Sequence, residues 1–209
     1  MLKFAPEGYP FIFFFGVITI VAFIAGGTWI ALLPFILTGF MAYFFRDPER
    51  KIPEGDNIFV SPADGRVIQI HNVMEDKYLK NSAIEISIFM SPLNVHVNRA
   101  PCDGTVESVV RAPGKFLSAF KPEASFRNEN IAMLLKGKHS SILVRQVAGA
   151  VARRAVCRVK PGDALKKGQR YGIIKFSSRL DVYIPENTDI KVKLGDKVKA
   201  GETIIGSLG

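Results

Sequence analysis

The sequence predicts a mainly β domain, a small barrel or sandwich, carried behind an N-terminal hydrophobic helical hairpin. Three observations predict it. Residues 8–45 contain no Asp, Glu, Lys or Arg and are crowded with Phe, Ile and Leu. Beyond them, short apolar runs are separated by Gly, Pro, Asn and Asp clusters at the intervals of a sandwich or barrel. A ten-residue pattern at 160–169 also returns 33 residues later, at 193–202.

The apolar segment exceeds the roughly 18 residues that argue for membrane insertion. A secretory signal has a shorter apolar core and a more positive start; here only Lys3 precedes the run, and Glu7 offsets it. Gly26-Gly27 near the middle and Pro34 beyond it favour a hairpin over a single tilted span. Two helices of about 16 residues rise about 24 Å, against a hydrocarbon core of about 30 Å. Full crossing and partial penetration therefore both stay open. In either hairpin both ends emerge on one side, and the basic flank Arg46-Asp47-Pro48-Glu49-Arg50-Lys51 puts that side on the cytoplasmic face of the cell membrane. The expected division is an anchor at 1–45 and a β-rich domain at 46–209.

Lys3 and Glu7 cancel, so the formal charge of +9 lies on the second part. That balance suits an anionic partner, and beside a membrane anchor an anionic bilayer is the simpler one. No basic run with interleaved aromatics suggests nucleic acid. Cys102 and Cys157 lack metal-type spacing and read as reduced, buried thiols, with no metal expected.

Within 46–209, Ile84, Ile86 and Ile88 alternate with Glu85, Ser87 and Phe89, and Ile190, Val192 and Leu194 alternate with polar residues. Further strand-like runs lie at 57–60, 67–70, 106–110, 133–135, 142–147 and 171–176. The stretch 146–154, with its alanines and terminal arginines, reads as a short helix. The repeat pairs Lys160-Pro161-Gly162-Asp163 with Lys193-Leu194-Gly195-Asp196, and each copy leads into a strand-like segment. Two copies fit two corners of a pseudo-symmetric barrel with lipoyl-like hammerhead features, as in lipoyl and biotinyl carrier domains. A carrier needs a Met-Lys-like hairpin tip, which is absent.

Ser177 and Ser178 sit between two strand-like runs, where a serine pair alone is usually a turn. Of three histidines, His71 ends a run and His139 lies in the turn Gly137-Lys138-His139-Ser140. His96 follows the strongest strand among Asn94, Asn98 and Arg99. Asp64 occupies the turn Ser61-Pro62-Ala63-Asp64-Gly65. Asp64, His96 and Ser178 together supply the carboxylate, imidazole and hydroxyl of a triad, whose order along a chain is free.

Taken together, Arg46-Asp47-Pro48, the turn at 61–65, Met90-Ser91-Pro92 with Asn94-Val95-His96, Asn128-Glu129-Asn130, Gln146-Val147-Ala148-Gly149 with Ala152-Arg153-Arg154, and Gly168-Gln169-Arg170-Tyr171-Gly172 leading into Ser178-Arg179-Leu180-Asp181 resemble the phosphatidylserine decarboxylases of the short bacterial and archaeal type. The resemblance covers essentially the whole chain. It implies a pyruvoyl-dependent carboxy-lyase that turns phosphatidylserine into phosphatidylethanolamine. Such a proenzyme cuts itself at 177/178, giving a β chain (1–177) and an α chain (178–209) that stay together as a heterodimer. Ser178 becomes the covalent pyruvoyl group, which forms a Schiff base with the substrate amine. His96 and Asp64 serve the cleavage. Two positions depart from the family: Ser177 replaces a glycine, adding a Cβ beside the carbonyl under attack, and Arg99 replaces a second histidine of longer members. The runner-up reading is a non-catalytic, membrane-anchored barrel binding lipid or protein. A serine hydrolase is a third, and it lacks the Gly-x-Ser-x-Gly elbow.

Overall fold

A computed structural model describes residues 3–114, 127–149, 154–175 and 178–209. The chain forms two compact units, Met1–Glu49 and Arg50–Gly209.

In the first unit a 3-10 turn, Pro6–Gly8, leads into α1, Tyr9–Phe44. Gly27 breaks α1 with φ 74° and ψ −168°, a backbone state that only glycine takes without strain, and leaves arms 9–26 and 28–44. The arms fold back on each other. The hydroxyls of Thr19 and Thr38 lie 3.2 Å apart, whereas a straight helix would separate them by about 28 Å. At the base the Ala5 amide donates to the Phe45 carbonyl and the Asp47 amide to the Lys3 carbonyl, both at 2.8 Å. The rings of Phe11 and Phe45 stack there at 5.5 Å. Phe13, Trp29, Leu33 and Phe35 are exposed around the arms. A helix pair that is apolar all round suits a lipid surrounding rather than water.

In the second unit the described strands all pair antiparallel. Its strands are β1 (Ile58–Val60), β2 (Gly65–Glu75), β3 (Asn81–Met90), β4 (Val97–Arg99), β5 (Gly104–Ala112), β6 (Asn130–Gly137), β7 (Ser141–Ala148), β8 (Ala155–Cys157), β9 (Ala164–Leu165), β10 (Arg170–Ile174), β11 (Ser178–Pro185), β12 (Thr188–Ile190), β13 (Lys197–Val198) and β14 (Ile204–Leu208). An eight-stranded sheet runs β13-β2-β3-β11-β7-β6-β5-β9, and two three-stranded sheets run β4-β10-β8 and β1-β14-β12. Because side chains alternate along a strand, Ile86, Ile88, Val144, Leu180 and Val182 all reach one buried face and form the core with Met133, Leu135 and Tyr171.

The repeat builds two equivalent corners. The Lys160 amide donates to the Asp163 carboxylate at 2.9 Å and the Lys193 amide to Asp196 at 3.0 Å. The next residues bond to β5 and β2: the Gly162 amide to the Val106 carbonyl (2.8 Å), and the Gly195 amide to that of Val67 (2.9 Å). The structure exposes a second, shorter repeat, Ser61-Pro62-Ala63-Asp64-Gly65 with Ala100-Pro101-Cys102-Asp103-Gly104. These turns bond reciprocally: the Val60 amide to the Pro101 carbonyl at 2.9 Å, and the Arg99 amide to that of Pro62 at 3.0 Å. The domain is thus two topologically equivalent halves, in which β2, β3 and β11 correspond to β5, β6 and β7. Register fixes the match. Val67 faces Ile88, which faces Leu180; Val106 faces Leu135, which faces Ile142. Two residues before Leu180 is Ser178, so its counterpart is Ser140.

Two expectations are corrected. Residues 146–148 are strand, not helix; β7 is held between β6 and β11, and pairing on both edges overrides alanine's helix preference. Residues 150–153 lie outside the described residues. The alternating run at 190–194 stays in the sheet only to Ile190. Lys193 already belongs to the turn closed on Asp196, which leaves Leu194 exposed.

Candidate active site

Ser178 opens β11 in the middle of the large sheet, paired with Met90 on β3 and Ala148 on β7, and is fully buried. Its hydroxyl lies 3.5 Å from the Met90 thioether sulfur, a weak acceptor. The Asn98 amide lies 3.9 Å from the same sulfur and accepts a 2.8 Å bond from Gln146 Nε2. Ser178 therefore sits buried against Met90, whose sulfur is shared with Asn98 in the strand that follows His96. Ser177, the other side of the expected cut, lies outside the described residues.

His96 is fully buried in the connection from β3 to β4. That connection is shaped by Asn94, whose side-chain oxygen accepts from the Ser91 amide and hydroxyl, each at 2.9 Å. His96 Nδ1 is 2.9 Å from the Asn94 carbonyl oxygen. A carbonyl can only accept, so Nδ1 carries a hydrogen, and in the neutral form of the ring the lone pair is then on Nε2. The His96 carbonyl accepts from the Ile174 amide at 3.3 Å, tying this residue to the end of β10, the strand that leads to the serine.

Asp64 is held elsewhere. Its carboxylate takes Arg50 Nη2 at 2.8 and 3.0 Å and the Ala200 amide at 2.8 Å. In the other half its counterpart Asp103 takes the Lys167 amide at 2.6 Å, so binding the repeat's turn is a duty of both corner aspartates. The place a triad gives to a carboxylate, at His96 Nδ1, is filled by the Asn94 carbonyl. His71 lies within β2 with Nε2 3.1 Å from Glu85, and His139 is exposed in the β6–β7 turn.

Sequence reasoning missed a buried polar cluster on the opposite face of the sheet. Arg179 Nε meets Asp181 at 2.5 Å, and its Nη2 meets Gln69 Oε1 (2.5 Å), Ser87 Oγ (2.7 Å) and Glu85 (3.3 Å). The Tyr183 hydroxyl donates to Glu85 at 3.2 Å and accepts from Arg145 at 2.7 Å. Burial first, and the Asp181 carboxylate next, push Glu85 above the usual carboxylate range; Arg179, His71 and Tyr183 work against that shift. Burial pushes the Cys102 thiol up to about 12, so it is no nucleophile. Among the described residues no cluster of three His, Cys, Asp or Glu side chains could hold a metal.

A sequence model of the phosphatidylserine decarboxylase family matches residues 37–206. The chain belongs to that family. Proteins described as phosphatidylserine decarboxylase proenzymes are similar to it along nearly their whole length. That of Syntrophus aciditrophicus is 46% identical over 205 residues, covering 97% of this chain and 96% of its own. That of Geotalea uraniireducens is 46% identical, with 98% and 96% covered; that of Geobacter sulfurreducens is 45% identical, with the same coverage. Family membership makes this chain a decarboxylase of the proenzyme kind. Arg99, the second of the two positions expected to depart from the family, is buried, and its Nη1 donates to the Gly168 carbonyl at 2.9 Å. Here that position braces the repeat's turn.

Proposed function

We propose that this chain cuts itself between Ser177 and Ser178 and, with the pyruvoyl group so made, converts phosphatidylserine to phosphatidylethanolamine. The observation that carries the reading is Ser178: a fully buried serine at the start of a central strand, facing a thioether, next to the segment whose histidine has its Nδ1 hydrogen already committed. His96 Nε2 takes the Ser178 hydroxyl proton while Oγ attacks the carbonyl carbon of residue 177. The C–N bond breaks, the nitrogen takes a proton, and residue 177 is left as an ester on Oγ. Loss of the Cα proton of residue 178 then breaks its Cβ–Oγ bond, freeing residue 177 as a carboxylate and leaving dehydroalanine. Addition of water and departure of ammonia leave the ketone. The surroundings fit a ketone: the Met90 sulfur asks for no hydrogen-bond donor, and the Asn98 and Gln146 amides lie at hand.

Once formed, the pyruvoyl group supplies an electrophilic carbonyl that draws electrons from the bond to the departing carboxylate. The protein's own part is to bind, orient and move protons. With Arg99 committed to Gly168, proton handling in both stages falls to His96. Asp64 acts by position: the corner it closes includes Pro62, whose carbonyl accepts from the Arg99 amide in the strand that follows His96. The fold also suits the cut. β7, the counterpart of β11, is entered from β6 through the turn at 137–140, so the other half is built without a β10–β11 type of link. Breaking that link leaves every strand pairing in place, and residues 178–209 stay docked as the second chain of a heterodimer. Intact mass analysis tests this: the expected result is a chain ending at Ser177 and a second, amine-blocked chain of residues 178–209, and a single 209-residue species would overturn it.

Phosphatidylserine stays in its bilayer, and drawing it out exposes acyl chain at about 0.8 kcal/mol per CH₂. We propose that the hairpin holds the domain at the cytoplasmic face of the membrane and that the +9 charge draws it to anionic headgroups. Deleting residues 1–45 is expected to leave a protein that still cleaves but turns over vesicle-bound phosphatidylserine poorly. The loss grows with salt, since exposed charges are screened beyond about 8–10 Å at near-physiological ionic strength. Undiminished activity of the truncated protein at high salt would limit the hairpin to targeting or assembly.

A further inference from the structure

We propose that Arg179 and the polar cage around it are positioning residues that hold the reactive end of residues 178–209 after the 177–178 bond is broken. The inference rests on the cleavage proposed above.

Arg179 is the residue after Ser178, and its guanidinium, 1% exposed, bonds across three strands: Asp181 on β11, Glu85 and Ser87 on β3, and Gln69 on β2. Its side chain points away from that of Ser178, because successive residues of a strand face opposite ways. It can place the reactive residue without touching the chemistry. Burying such a cluster gains little stability over well-packed apolar residues, so another reason for it is needed.

The second half of the domain serves as an internal control. Gln69 faces Ser87 just after a bulge that follows Val67, and Ser108 faces Leu134 just after a bulge that follows Val106. By this register and that of the central strands, Arg179, Asp181, Glu85, Ser87 and Gln69 correspond to Ser141, Leu143, Ala132, Leu134 and Ser108. Ala132 and Leu143 are buried, with Leu134 packed against them, in a small apolar cluster. At the five counterpart positions the half that has no reactive residue carries no charge; the one buried charge it places beside them, Arg145 on β7, reaches Tyr183 and Glu75 of the half that is cut. The cage belongs to the half that is cut.

Before cleavage, the chain arriving from β10 helps to fix residue 178. Afterwards residue 178 is a chain end, and chain ends loosen unless tied down. A guanidinium locked into three strands at the second residue ties it down. The need is real, since a shift of about 1 Å in a reacting group can cost about 10²-fold in rate.

The test compares wild type, Arg179→Lys, and a four-site variant with the apolar character of the other half (Arg179→Met, Asp181→Leu, Glu85→Ala, Ser87→Leu), which leaves no carboxylate stranded at Arg179. Each is followed by intact mass, by kcat and KM on phosphatidylserine in mixed micelles, and by amide hydrogen exchange over residues 178–185. Exchange is repeated in uncut Ser178→Ala backgrounds. The four-site variant is expected to cleave fully, to lose about 10- to 100-fold in kcat with KM unchanged, and to exchange faster in this segment only when cut. Arg179→Lys should fall between, because an ammonium cannot reach all four acceptors at once; it also carries the test if the four-site protein fails to fold. Wild-type kcat and exchange in the variants overturn the proposal. So does faster exchange in cut and uncut forms alike, which marks a purely structural cluster, and so does a folded variant that stays uncut. An uncut wild type sinks the functional reading and this inference with it, whereas a cut wild type with unaffected variants sinks this inference alone.

Discussion

Ser178→Ala is expected to remain a single full-length chain and to release no ethanolamine lipid. Alanine has no oxygen to attack the carbonyl of residue 177, and no later step can supply one, so cleavage and activity vanish together. The structural cost should be small. The hydroxyl removed faces a thioether at 3.5 Å, and trading so weak a bond for a methyl group costs about 1 kcal/mol or less. Thermal melting close to that of the uncut wild-type chain should accompany the loss of function, which separates a missing nucleophile from a missing fold. Ser140, the counterpart in the other half, is the control: Ser140→Ala should cleave and turn over normally. Cleavage that persists in Ser178→Ala would remove this residue from the mechanism.

The parts of this arrangement that sequence could show are those governed by local chemistry. A 38-residue stretch without charge and with paired glycines at its middle points to a helical hairpin of the kind that suits lipid. Gly162 and Gly195, with φ of 94° and 90°, fall where the repeated Lys-x-Gly-Asp pattern marks its turns. What stayed hidden was set by tertiary pairing. The alanine-rich stretch that begins at Gln146 favours helix by composition, yet two neighbouring strands claim residues 146–148. Glu85 and Ser87 take the outward positions of an alternating strand and read as solvent-facing, but they are buried around Arg179. Arg179 and Asp181 flank Leu180 in the same alternating way, and charge on both central strands at outward positions was the available signal. The pairing of Asp64 with Arg50 and Ala200, rather than with a histidine, depends on the corner turns. The Asp103–Lys167 contact of the other half shows it to be a property of the fold.

His96→Ala is expected to accumulate uncut chain, with cleavage slowed about 10²–10⁴-fold, the usual worth of a placed general base. His96 Nδ1 is committed to the Asn94 carbonyl at 2.9 Å, so under the proposed mechanism Nε2 is the atom expected to take the Ser178 proton. The alanine variant keeps the backbone link from His96 to Ile174 and loses only the ring. It leaves a space of imidazole size, and added imidazole should restore part of the cleavage rate, an outcome that simple misfolding would not give. Asn94→Ala should lose less, because it frees the Ser91 turn but retains the carbonyl that sets the tautomer. His71→Ala and His139→Ala should cleave like wild type, the first lying on the outer face against Glu85 and the second exposed at the far end of β7. Time courses of cleavage for the four variants, followed by intact mass, decide the assignment. If His96→Ala matures at the wild-type rate while His139→Ala stalls, the base has been placed at the wrong end of the sheet.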